Sequence, residues 1–161
     1  MDLDAQDLKL LTLLQRDARQ SNAALAEAAN LSASACHRRV RRLEAGGVIA
    51  GYGARLDPVA IMRRTVVYVE FTLNGQSQAV LDLFEAAILL VPDVVECHLM
   101  AGSADYLAKV MAADSDDFAR IHREHLSRLP GVVQMQSSFA LRTVRAGGEL
   151  PVPAYRSHNN R

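Results

Sequence analysis

The hydrophobic period of this 161-residue chain changes once, at Thr65, and that change limits the fold more than any single motif. Before it, apolar residues recur at helical spacing between polar breaks. After it, short runs rich in β-branched and aromatic residues take turns with helical runs. Two folding patterns therefore follow one another along the chain, helices first and a mixed sheet second.

In the first part, Asp4 is placed to cap a helix, Asp7 suits its first turn, and Leu3 can staple to Leu8. Leu8, Leu11 and Leu14 give that helix an apolar stripe, which Leu10 widens. A second helix starts near Ser21-Asn22 with the small contacts Ala24, Leu25 and Ala28, and Asn30 to Ser32 break it. A third opens at Ser32 as N-cap and stops at Gly46-Gly47. Two short helices joined by a tight turn, the later one basic, carry a helix-turn-helix signature. "VIAGYGARL" then suits a short strand and hairpin, the place of a wing, and "DPVAIMRR" reads as a linker.

In the second part, strands are predicted over 65–73, 93–101, 105–112 and 132–144, with helices over 77–91 and 114–129. The order βαββαβ is that of a ferredoxin-like plait. The fold class is thus α+β, a winged helix-turn-helix followed by a ferredoxin-like domain. Domains are expected at 1–52 for the helix-turn-helix, 53–64 for hairpin and linker, 65–146 for the plait and 147–161 for a flexible tail. The Gly, Pro and polar content of "AGGELPVPAYRSHNNR" predicts little order there.

Composition narrows the function by exclusion. The longest apolar run, Ala86 to Val91, is far short of the roughly 20 residues of a membrane helix. "MDLDAQD" lacks the basic start of a signal peptide, so a cytoplasmic, nucleoid-associated protein without a membrane partner is expected. Cys36 and Cys97 have no CxxC spacing or histidine-rich surroundings and read as small buried hydrophobes. Neither a catalytic group, a metal site nor a cofactor is expected.

The formal charge is zero, yet Ser32 to Ala45 hold four arginines against one glutamate, a surplus of three that the rest of the chain offsets. With Cys36 as reference and about 100° per residue, Val40 and Leu43 fall within about 40° of it. Ser34, His37, Arg38 and Arg41 fall on the opposite face, at about 100° to 200°. That face suits the major groove of double-stranded DNA, where Arg clasps guanine or phosphate bidentately. Arg39 and Arg42 lie on the flanks and suit phosphates or a neighbouring acid such as Glu44. The candidate DNA-binding residues are Ser32, Ser34, His37, Arg38, Arg39, Arg41 and Arg42. So few cations bind weakly as a monomer in cellular salt, which implies a dimer on spaced half-sites.

Over residues 2 to 150 the chain resembles the Lrp/AsnC, or feast/famine, family of transcriptional regulators. The resemblance is carried by "LDAQDLKLLTLLQRDAR", "LAEAANLSASACHRRVRRLEAGGVIAGY", "LDP", "GSADYL" and "LSRLPGVVQMQSSFAL" in that order. It implies a DNA-binding domain, a ferredoxin-like domain that senses an amino-acid effector, and homodimers that pair through sheet faces and assemble to tetramers or octamers. "ECHLMAGSADYL" and "SSFALRTV" look like the branch that activates amino-acid catabolic operons, for branched-chain amino acids or proline. The resemblance also places the effector near Met100, Gly102, Ser103, Ala104 and Asp105, with Gln136 and Ser138 from the last strand. Physical reading adds that Gly102 permits close backbone approach, that the N–H groups of Gly102 to Ala104 suit a carboxylate, and that Asp105 suits an α-ammonium. Asp105 in such a turn also suits a bond to its own backbone. The family usually has Gly where Met62 stands and apolar residues where Arg63-Arg64 stand.

Two rival classes stay open on the residues alone. His122 and His125, with Glu124 between them, are the best candidates for a metal site, but a third ligand is lacking. Some proteins that resemble this architecture are sirohaem decarboxylases, for which His98 or His122 would be suspected. The other class is a DNA-architectural protein without an effector.

Overall fold

The computed structural model describes residues 2–153, so the last eight residues of the expected flexible tail lie outside the described residues. The chain forms two compact units, one of residues 2–54 with 145–153 and one of residues 55–144.

The first unit is built on α1 (Ala5–Arg16), α2 (Asn22–Ala29) and α3 (Ala33–Ala45). Asp4 and Asp7 cap α1 reciprocally, each carboxylate accepting the other's backbone N–H at 2.9 and 3.1 Å. Leu10, with Leu13 and Leu14 beside it, packs on Leu25, Ala26, Ala29 and Cys36. The stripe therefore centres on Leu10, with Leu11 only half buried, because the small residues of α2 admit the i, i+3, i+4 set nearest them. Asn30 takes the left-handed conformation (φ 56°) that ends α2, and Ser32 accepts the Ala35 N–H at 3.2 Å to start α3. Gly47 (φ 71°) closes α3.

The expected strand and hairpin over 48–56 does not form among the described residues: the segment is irregular and exposed. It is tied to α3 by the Val48 and Ile49 N–H groups, which donate to the Leu43 carbonyl at 3.0 and 3.2 Å, and by the Tyr52 hydroxyl, which donates to Glu44 at 3.0 Å. A strand needs a partner to satisfy its backbone, and this unit offers none. Glu149 and Leu150 lie in the stretch expected to carry little order, yet they are held to α1. The Gln15 side chain exchanges two hydrogen bonds with the Leu150 backbone, and Arg16 meets Glu149 at 3.4 Å.

The second unit is a four-stranded antiparallel sheet in the order β2-β3-β1-β4, from β1 (Thr65–Leu73), β2 (Val94–Leu99), β3 (Tyr106–Ala112) and β4 (Val132–Phe139), with α4 (Gln78–Ile88) and α5 (Ser115–Glu124). The inward residues Val67, Val69, Phe71, Ala108 and Val110 share one core with Phe84 and Ile88 of α4 and Phe118 and Ile121 of α5. The Phe84 ring lies 5.3 Å from Phe71 and 4.4 Å from Tyr106. Both helices thus cover one face. No element of this unit covers the other, which carries Tyr68, Glu70, Thr72, Lys109, Gln134 and Gln136.

β2 ends at Leu99, two residues short of expectation, and three elements stop earlier still. α4 ends at Ile88 because Leu90 and Val91 switch to i−3 bonds before Pro92. α5 ends at Glu124, and His125 (φ −121°) breaks it into a 3₁₀ turn over Leu126–Arg128. β4 ends at Phe139, opposite Val67, with the Ala140 N–H still donating to the Val66 carbonyl at 2.9 Å, close to where β1 itself begins at Thr65.

Candidate nucleic-acid interface and effector site

The outward face of α3 has the composition expected of it. Cys36 and Leu43 are fully buried and Val40 packs against the core, while Ser34, His37, Arg38 and Arg41 are exposed. Among the described residues neither His37 nor Arg38 has a side-chain partner, so their donors are open to a ligand. Arg41 reaches Glu44 at 3.4 Å, a surface pair of little energy. Ser32 caps the helix and lies 3.3 Å from the Ser34 hydroxyl.

Arg39 and Arg42 are placed differently from the expectation. Glu44 is not their acid: Arg39 donates to Asp4 at 2.6 Å and to Asp7 at 2.9 Å, and Arg42 donates to Asp7. Asp7 is 0% exposed, and a buried carboxylate is tolerable only when cations and N–H groups surround it. Two of the four arginines of α3 therefore lock it to α1. Burial works to raise the Asp4 carboxyl, but the Asp7 backbone N–H and the Arg39 guanidinium hold it below the usual carboxylate range. The same two acids raise Arg39.

The second site is a small cavity of about 240 Å³ on the uncovered sheet face, lined by Glu70, Thr72, Ser103, Ala104, Gln134 and Gln136. The register makes it: Glu70 pairs with Gln136 and Thr72 with Gln134, so the four side chains stand on one face, and the 100–105 turn closes one end. Of the expected effector residues, the structure brings Ser103, Ala104 and Gln136 into this lining. Met100, Gly102, Asp105 and Ser138 lie outside it. Ser138 continues the same face two residues on, opposite Tyr68, and open space surrounds Gly102.

Asp105 faces inward. Its carboxylate accepts the Leu73 N–H and the Gln76 amide, each at 2.7 Å, and these bonds hold it below the usual range. Its backbone donates to Phe71 and accepts from Met100, so the residue pins the turn to the end of β1. Glu70, Thr72 and Gln134 were not singled out from the sequence. Their alternation with buried Val69, Phe71 and Leu73 marks their face, but only the β1–β4 register shows what stands beside them.

A larger hollow of about 440 Å³ lies where the linker turn meets Pro92 and Asp93, with His125 at its edge. Met62 holds the left-handed conformation (φ 57°) that suits the glycine usual there in proteins this chain resembles. Arg63 is bound to Asp117 at 2.8 Å and Asp93 at 3.2 Å, so it serves the linker's fold rather than standing free. Arg120 is likewise paired with Asp117 and Glu124.

Residues 66–150 match the Lrp/AsnC ligand binding domain, more than half of the chain. The chain belongs to the Lrp/AsnC family. Residues 3–50 match the winged helix-turn-helix DNA-binding module that precedes the ligand domain. Among similar Lrp/AsnC proteins, the HTH-type transcriptional regulator y4sM of Sinorhizobium fredii is 45% identical over 73% of this chain and 92% of its own. The leucine-responsive regulatory protein of Salmonella typhimurium is 38% identical over 94% of this chain and 92% of its own. A transcriptional regulator of Neisseria meningitidis solved with L-Met superposes with a TM-score of 0.87 at 30% identity, over 93% of this chain and 97% of that one. This Lrp/AsnC chain is therefore a DNA-binding transcriptional regulator with a small-molecule domain, not the decarboxylase weighed above. Among the described residues no helix is long and apolar enough to cross a membrane.

Proposed function

We propose that this regulator reads operators of amino-acid metabolism genes in the cytoplasm, on the nucleoid, and that an amino acid bound in the Glu70–Gln136 cavity alters that binding. The observation that carries the reading is the division of labour on α3: Arg39 and Arg42 secure the helix through Asp7, while Arg38 and His37 are left with open donors on the exposed face. Ser34, His37, Arg38 and Arg41 read base edges, and Ser32, Arg39 and Arg42 contact phosphates with the donors their caps and ion pairs leave over. An amino acid is supported as effector by the L-Met complex of the Neisseria protein and by the leucine response in the Salmonella protein's name.

The uncovered sheet face supports a homodimer, since Tyr68 and Leu107 stand on it and no element of this unit covers them. Dimers then assemble into a tetramer or octamer. Asp105 enters the mechanism by fixing the turn, with the effector carboxylate on backbone N–H groups of Gly102 to Ala104. Met100 and Ser138 flank the same opening.

The test is a gel shift of the full chain on its own upstream region at fixed salt, with and without a panel of amino acids. The expected result is specific binding that one amino acid changes several-fold. Specific binding indifferent to every amino acid would instead mark an effector-independent architectural protein.

A further inference from the structure

The Asp7 carboxylate joins α1 to α3 from inside the protein. It is 0% exposed within one chain, and both of its oxygens are engaged there: Oδ1 accepts from Arg39 at 2.9 Å, and Oδ2 accepts from the Asp4 N–H at 3.1 Å and from Arg42. Arg39 also reaches Asp4 at 2.6 Å. The two arginines stand three apart on α3, so they lie on one side of it, about a turn from each other. The apolar seat of the same helix is a cluster in which Cys36 and Val40 meet Leu10, Leu25, Ala26 and Ala29. Apolar burial is non-directional, and a seat of small residues resists rotation of a helix weakly. Charge-assisted hydrogen bonds at two points a turn apart resist it strongly.

We infer that Asp7 is a positioning residue for operator recognition: its grip on Arg39 and Arg42 sets the rotation of α3 about its axis, and so where Arg38 and Arg41 meet base edges, on the reading of α3 as the helix that reads the operator. Arg38 is next to Arg39 in the chain and Arg41 next to Arg42, so a turn of α3 that moves one pair moves the other through the same angle. Hydrogen bonds to base edges weaken steeply when misaligned. Attraction to phosphates depends mainly on charge and survives a small turn. Loss of Asp7 therefore falls on sequence choice. It also returns two cations, with side chains 26% and 47% exposed, to sequence-independent attraction.

The experiment measures the affinity of the full chain for its own upstream region and for a scrambled fragment of equal length, at several salt concentrations. The variants are Asp7→Asn and the pair Arg39→Lys with Arg42→Lys. Asparagine keeps the size of the side chain and an acceptor for the Asp4 N–H, while the lysines keep the countercharge to Asp7 but lose the planar fork. The ratio of specific to non-specific affinity is expected to fall at least ~10-fold in each, within what one base contact discriminates. In Asp7→Asn the non-specific affinity should also rise, and log K against log salt should steepen by up to about 0.9 for each arginine released. A variant that merely folds less well lowers both affinities by one factor and leaves their ratio as it was. A parental ratio in both variants would therefore overturn the inference and leave the operator reading standing. Should Asp7→Asn fail to fold, the lysine pair decides by the same ratio. A parent that does not prefer its own upstream region overturns the operator reading and the inference with it.

Discussion

Asp7 in the helical unit and Asp105 in the sheet unit are both buried carboxylates, and the protein satisfies them in opposite ways. Asp7 is surrounded by charge: Arg39 and Arg42 reach it from α3 while it completes the cap of α1. Asp105 has no countercharge; a backbone N–H and a neutral amide suffice. The first solution draws its cations from the helix proposed to meet DNA. It couples the seating of α3 to the charge left for the operator. The second is local to one turn and makes no demand on the surface. A carboxylate in a turn thus says little about whether it meets a ligand until its bonds are known.

The comparison is broken most sharply by removing the cations. Arg39→Met with Arg42→Met leaves the buried Asp7 carboxylate with the Asp4 N–H but no countercharge and should cost about 3–5 kcal/mol in urea unfolding. The matched change Asp105→Asn keeps an acceptor for Leu73 and should move the unfolding midpoint far less. Comparable losses would refute the distinction. Next in size, Arg38→Ala should weaken specific operator binding by about 1–3 kcal/mol with unfolding unchanged, because no bond of the fold uses its exposed guanidinium. Unaltered operator affinity in the folded variant would remove it from the interface. The smallest effect is that of acid. Asp4 and Asp105 are both held below their ordinary range, so the stability each contributes is present above about pH 4 and is lost as pH falls through its lowered value. The loss in the helical unit should shrink with added salt, since salt screens the half-exposed Asp4–Arg39 pair and lessens the lowering it causes, while that at Asp105, which has no countercharge, should change less. Unfolding followed against pH at two salt concentrations separates them.

Much of the fold was legible. The caps at Asp4, Ser21 and Ser32 and the stop at Asn30 depend on residues within a turn of one another, so local chemistry decides them, and the alternation over Thr65–Leu73 marked a strand that β3 and β4 then complete. The absent hairpin at 48–56 was misjudged because a strand exists only against a partner, which no local pattern supplies. On the candidate site, helical periodicity separated the exposed Arg38 face from Cys36 and Leu43, since 100° per residue is a property of the helix alone.

What one sequence determined by itself was therefore the order of elements, their caps, the face of α3 that meets water, and a resemblance carried by motifs in series. What only the tertiary structure decided was which charges are free. Arg39 and Arg38 are adjacent and alike in sequence, yet packing of α1 against α3 consumes one and leaves the other. Glu70 came to line the cavity only when antiparallel pairing set it opposite Gln136, beside a turn more than 30 residues away. Long-range pairing is settled by global burial and register, which no window of sequence contains.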